Sequence, residues 1–364
     1  MELTKKQRNS NLELFRIFMM IAIIAHHLVV NSGVDECFNF QNITSNMIFL
    51  QLFGFAGKAM INGFVLITGY FMIKQKFSFN KVVKLYLEIK FYKIIIYFIF
   101  VALSYESFAL KSFVKSVFNI AYSANGGFIA TFFFLYLLSP FINKALNAIS
   151  QKSYLILLAI LITYFTVFST FFLHEVFSEL GWYITMYAIG GYIRTYPIKL
   201  LENTKATGAL TILSLLLCFA SILCIDFVNY KLNRTFPPYF MFVDAQKILA
   251  LVLAVFSFCF FKNIKIKNSK IINTISLTTL DVLLIHANGD TMRRFLWQDL
   301  LNIKGHYTDS CLPFYAIGSV LAIYIVCVLI GLARIYLLEK PVLKKLNNHD
   351  KFNNLCNIIE NIVN

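Results

Sequence analysis

Ten apolar runs of roughly twenty residues each, separated by short polar breaks, leave this chain few ways to fold. They lie near 12–31, 46–73, 82–103, 128–146, 153–173, 180–194, 206–226, 241–261, 271–289 and 312–338. The hydrocarbon core of a bilayer takes about 20 residues of α-helix to cross. It holds no water for the peptide groups, so a run of that length must pair its own N–H and C=O groups as a helix. The expectation is an all-α fold, a polytopic membrane helix bundle of about ten transmembrane helices. Residues 1–346 would form the integral domain and 347–364 a cytoplasmic tail, either an amphipathic helix or a frayed end. Only 14% of the residues are charged, against about a quarter in a soluble chain. The mean hydropathy of +0.69 points the same way, and 39 Phe with 19 Tyr suit lipid contact and interfacial belts.

Net charge is +15, which in a soluble chain would suggest nucleic acid. Here the excess is that of a membrane protein holding Lys and Arg in its cytoplasmic loops, and no nucleic-acid partner is implied. With the N-terminus inside, the cytoplasmic segments hold 20 Lys and Arg and the outer loops 7, so both termini are expected in the cytoplasm. Lys5, Lys6 and Arg8 before an apolar run mimic a signal peptide, but the run is too long and no small-residue cleavage site follows. It reads as a retained first span. The seven cysteines show no CxxC and no metal-ligand spacing, and no metal is expected. Cys37 and Cys311 are the two placed outside, where a disulfide could join them. The outer loop 104–127, with Phe108, Phe113, Val117 and Phe118 beside Lys111 and Lys115, suits a short interfacial amphipathic helix. Gly54, Gly57, Gly63 and Gly69 interrupt the second run and Lys58 sits in its middle, so that helix is expected to be broken or to line a cavity.

The first run, NSNLELFRIFMMIAIIAHHLVVN, carries Glu13, Arg16, His26 and His27. Ionisable groups inside a span are costly and point to function. At roughly 100° per residue, Arg16 and His27 fall within about 20° of each other, roughly 16 Å apart along the axis. Glu13 is one turn before Arg16, at ion-pair spacing, whereas His26 points roughly 80° away from Arg16.

Arg16, ten intervening residues and His27 resemble the first-span signature of the acyltransferase-3 family, integral membrane enzymes that O-acylate sugars. The leading NSNLELFR resembles the branch associated with capsule and O-antigen synthesis. Two later stretches extend the likeness. GFVLITGYFMIKQKFSFNKVVKL has the Gly69–Tyr70 pair that ends the second span, then a basic loop in which Lys81 and Lys84 stand where better-studied relatives carry two arginines. ISLTTLDVLLIHANGD resembles the late segment that ends in Tyr-Leu-Ile-His, with Leu283 replacing the aromatic and Asp281 where Gly is expected. His286 would then lie at a depth similar to His27.

The resemblance implies an O-acyltransferase, most simply an O-acetyltransferase using acetyl-coenzyme A (an acyl-CoA) as donor substrate, with no permanently bound cofactor. The acceptor would be a cell-envelope or capsular polysaccharide or its lipid-linked precursor, and membrane lipids would surround the enzyme. A base must take the hydroxyl proton, and imidazole titrates near neutrality. His27 is the first candidate, with His286 and His26 beside it. Arg16, held by Glu13, is the candidate for a coenzyme A phosphate, with Lys81 and Lys84 in support. Tyr70 and Asn288, with Asp290, are candidates for the acceptor sugar. A rival reading is a glycan transporter or flippase using the charged stripe as a path, without covalent chemistry. The short outer loops argue against a glycan polymerase, and no inverted repeat supports a transporter.

Overall fold

The computed structural model describes residues 9–111, 113–114, 127–172 and 178–364. It is 79% helical, without a strand among those residues. The helices are α1 (Ser10–Asn31), α2 (Ser45–Gly54), α3 (Gly57–Met72), α4 (Phe79–Ala102) and α5 (Phe128–Ala148). They continue as α6 (Gln151–Phe171), α7 (Glu179–Thr195), α8 (Thr204–Leu232), α9 (Ile248–Asn263), α10 (Lys270–His286), α11 (Asp290–Leu300), α12 (Leu312–Leu346) and α13 (Asp350–Val363). Helix occupies every one of the ten apolar runs. Six helical stretches among the described residues are long and apolar enough to cross a membrane, and a seventh if the bent pair α10–α11 is one span. The others fall short for physical reasons. α4 carries Lys81, Lys84, Glu88, Lys90 and Lys93, while α7 and α9 have only 17 and 16 residues.

α1 and α3 form the centre. α1 packs on α2, α3, α9, α10 and α12, and α3 packs on α1, α5, α7 and α9. Glycines make the tightest approaches. A Cβ at Gly69 would stand 2.1 Å from the Tyr187 carbonyl oxygen, and one at Gly190 would stand 2.4 Å from that of Leu66, so α3 and α7 meet backbone to backbone. Gly63 likewise admits Met19 of α1. The second run breaks at Phe55–Ala56, between α2 and α3, and α3 lines a cavity, so both features expected of it occur. In α5, Pro140 cannot donate to the Tyr136 carbonyl, and the Ser139 hydroxyl donates to it instead at 2.7 Å.

Two ends of the bundle can be told apart. At the near end, where α1 begins, the Ser10 hydroxyl accepts from the Ser269 N–H at 2.9 Å and donates to Asn273 at 2.9 Å. The Asn11 amide donates to the Lys262 carbonyl at 2.9 Å. At the far end, beyond Asn31, the Asn46 amide donates to the Tyr307 carbonyl at 2.7 Å and Lys304 meets Glu36 at 2.5 Å. That ammonium holds the Glu36 carboxyl below its usual range. The tail is a helix, α13. Glu360 accepts from the Phe79 N–H at 2.7 Å, capping the start of α4, and Asn364 pairs with the Phe77 backbone. All seven cysteines are free. In the segment 104–127 Phe113 stacks on Tyr97; Lys115, Val117 and Phe118 lie outside the described residues, as do Lys5, Lys6 and Arg8.

Candidate active site

The polar stripe of α1 faces a cavity of about 420 Å³ enclosed by α1, α3, α4, α5, α7 and α10–α11. That is within the usual size of a small-molecule site. Arg16 and His27 both line it. Arg16 meets Glu13 at 3.4 Å, the i,i+3 pair that helix spacing anticipates.

Eleven residues beyond Arg16, His27 Nδ1 lies 3.0 Å from Nε2 of His286, across 259 residues of sequence. The second ring nitrogen of His286, Nδ1, is 2.6 Å from the Val282 carbonyl oxygen. A carbonyl only accepts, so His286 Nδ1 carries the hydrogen. With both rings neutral, His286 Nε2 is then bare and accepts from His27 Nδ1–H. His27 Nε2 is left with a free lone pair and no bonding partner among the described residues. His286 is fully buried, and the Trp297 ring, also fully buried, stands edge-on to it with centroids 6.5 Å apart. His286 ends α10 where the chain turns through 94° into α11, so its ring is at a corner rather than mid-helix.

His26 has a different place. Its Nδ1 donates to the Gly54 carbonyl at 2.7 Å, and its ring lies so close to Gly57 that a Cβ there would be 2.3 Å away. It holds the break between α2 and α3 and does not line the cavity. Asn288 lines the cavity, its amide donating to the Leu284 carbonyl at 2.9 Å. Tyr70, Lys81 and Lys84 are not brought to it. The Tyr70 hydroxyl accepts from Arg194 at 3.0 Å, Lys81 is exposed on the first turn of α4, and Lys84 pairs with Glu339 at 2.6 Å. Asp290 is exposed and pairs with Arg293 at 3.0 Å.

Three groups in the site escaped the sequence reading: Lys93, Glu179 and Arg293 line the cavity, and Lys58, which with the glycines pointed to a cavity, lines it too. Asp281 explains itself structurally. Its Oδ1 accepts from Tyr92 at 2.7 Å and from Arg334 Nε at 2.5 Å, and Arg334 also reaches Glu88 at 3.2 Å and Glu339 at 2.7 Å. The π-helical turn Ile335–Glu339 widens α12 so that residues five apart can meet. This buried network ties α4, α10 and α12 together one to two turns from His286.

A family profile described as an acyltransferase domain matches residues 9–332, nearly the whole chain. The chain belongs to the acyltransferase-3 family. No curated protein and no solved structure gave a match. As a member of that family it is a membrane acyltransferase.

Proposed function

We propose that this acyltransferase moves an acyl group, most simply acetyl, from acetyl-coenzyme A to a hydroxyl of a cell-envelope or capsular polysaccharide, or of its lipid-linked precursor. It would do so in the plasma or inner membrane, with both termini cytoplasmic. The observation that supports this most directly is the oriented histidine pair, which leaves His27 Nε2 as a proton acceptor. The acceptor hydroxyl gives its proton to Nε2 as its oxygen attacks the thioester carbonyl carbon. The tetrahedral intermediate collapses, the C–S bond breaks, and the thiolate takes the proton back from the imidazolium. The products are an ester and free coenzyme A. His286 is a positioning residue that fixes the His27 tautomer.

Arg16 serves the donor. The pantetheine arm spans a length comparable to the roughly 16 Å between Arg16 and His27, so a phosphate held at Arg16 lets the thioester reach the base. Lys81 and Lys84 lie off the cavity, and Lys84 is occupied by Glu339, so Arg16 carries the donor site in this reading.

Membranes bearing the chain are incubated with acetyl-labelled acetyl-coenzyme A, and the envelope glycan is isolated. Label in ester linkage to the glycan, absent with His27→Ala, is the expected result. A glycan that crosses the membrane without acquiring label would mean a transporter instead.

A further inference from the structure

Three helices each send a cation to the wall of the cavity around His27: Lys58 from α3, Lys93 from α4 and Arg293 from α11. Lys58 and Arg293 line the same cavity as His27, and Lys93 Nζ is 3.4 Å from the carbonyl oxygen of the cavity residue Asn288. Cations at this depth are expensive. Lys58 has no hydrogen bond or ion pair among the described residues, and Arg293 Nε is buried without a partner. Among the described residues the acidic groups nearby balance them only in part, Asp290 and Glu106 attracting Lys93 from outside the cavity lining. Among the described residues Glu179 is the one carboxylate in the lining, and its two oxygens accept from Thr131 at 2.9 Å and Tyr183 at 3.0 Å. Asp290 meets Arg293 from outside, with its side chain 88% exposed, and Glu106 accepts from Thr291.

One cation suffices for the single negative charge of a tetrahedral intermediate. The donor does not call for the other two, because with its thioester at His27 its phosphates lie an arm's length away, toward Arg16. Resting on the acyl-transfer reading, we propose that the acceptor is an acidic glycan, carrying a carboxylate or a phosphate beside the hydroxyl that is acylated, and that Lys58, Lys93 and Arg293 hold that anion. Neutral sugars lack the group that would compensate these charges.

The test uses the full-length protein in lipid nanodiscs with saturating acetyl-coenzyme A and three probes: methyl glucuronide, glucose 1-phosphate and methyl glucoside. Coenzyme A release reports transfer, and the melting temperature reports binding. At least one acidic probe should exceed methyl glucoside about tenfold or more in kcat/KM. Whether the carboxylate or the phosphate probe wins tells which anion is held. Lys93→Gln with Arg293→Gln should abolish the preference by raising the acceptor KM, with Lys58→Gln as an independent variant should the double one not fold. Equal use of the neutral probe, a uniform loss on all three, or a rise in the donor KM would overturn the proposal, as would no binding of either acidic probe. Acidic probes that raise the melting temperature without releasing coenzyme A would keep the anion site and sink the acyl-transfer reading. Transfer to all probes alike would do the reverse.

Discussion

His27 is the residue on which the proposed chemistry turns, and its neighbours define what its loss should look like. A general base contributes about 10² to 10⁴-fold, so His27→Ala should lower turnover by that range while the protein stays inserted. Wild-type turnover should fall as the pH drops through the imidazole's titration, because a protonated ring cannot take the hydroxyl proton. The variant should lose that acid limb. His286→Ala removes the acceptor for His27 Nδ1–H and frees the tautomer, so a loss of about 10²-fold with a displaced acid limb is expected. Should His286→Ala abolish turnover while His27→Ala spares it, the base belongs to α10. His26→Ala should mainly lower stability, by about 1 kcal/mol for its bond to Gly54, measured as thermal unfolding in detergent. At the other end of the stripe, Arg16→Ala removes a charged contact of about 1.5–3 kcal/mol, which is about 10- to 100-fold in donor affinity by equilibrium binding. An unchanged affinity would reduce Arg16 to an anchor at the membrane surface.

Elements hold these residues through contacts that break one at a time. Arg334→Met would leave Glu88, Asp281 and Glu339 without their common cation, a cost of about 3–5 kcal/mol. Because the network grips α10, activity should fall with it, and differential scanning fluorimetry beside the transfer assay would register both. Gly190→Ala pushes a methyl against the Leu66 carbonyl and should cost about 1–3 kcal/mol by separating α3 from α7. The helices themselves were legible from run length. So was the pairing of Glu13 with Arg16, because both lie on one helix whose period is known. What one helix's periodicity cannot say is which other faces it meets. Lys93 and Arg293 therefore drew no reading of their own, and the 94° corner after His286 lay at the end of a span followed by a loop. Asp281 stood out as a departure from the family pattern, yet its reason is Arg334, 53 residues later, on a helix whose approach no local pattern encodes. Tyr70 and Lys84 matched motif positions, but their partners, Arg194 and Glu339, also come from elsewhere in the bundle.

At the scale of the whole molecule the basic residues set the frame. A reporter active only in the cytoplasm, fused after Asn364, should be active, and one active only outside should be silent; the opposite pattern would invert the site relative to its donor. The joining of His27 to His286 has a further consequence for how the protein is made. α1 leaves the ribosome ahead of α10, whose partner ring follows 259 residues later. At the usual 5–20 residues per second of synthesis, that is a wait of about 10–50 s. Through that interval a helix whose Glu13 and Arg16 pair with each other must rest in or beside the bilayer with the ring of His27 unmatched. Whatever shelters it then, whether water at the insertion machinery or the side of an early α3, acts as a placeholder for α10. A chain halted before α10 would already have most of the cavity wall but lack the ring that fixes the His27 tautomer, so full activity marks that α10 has been made and has docked.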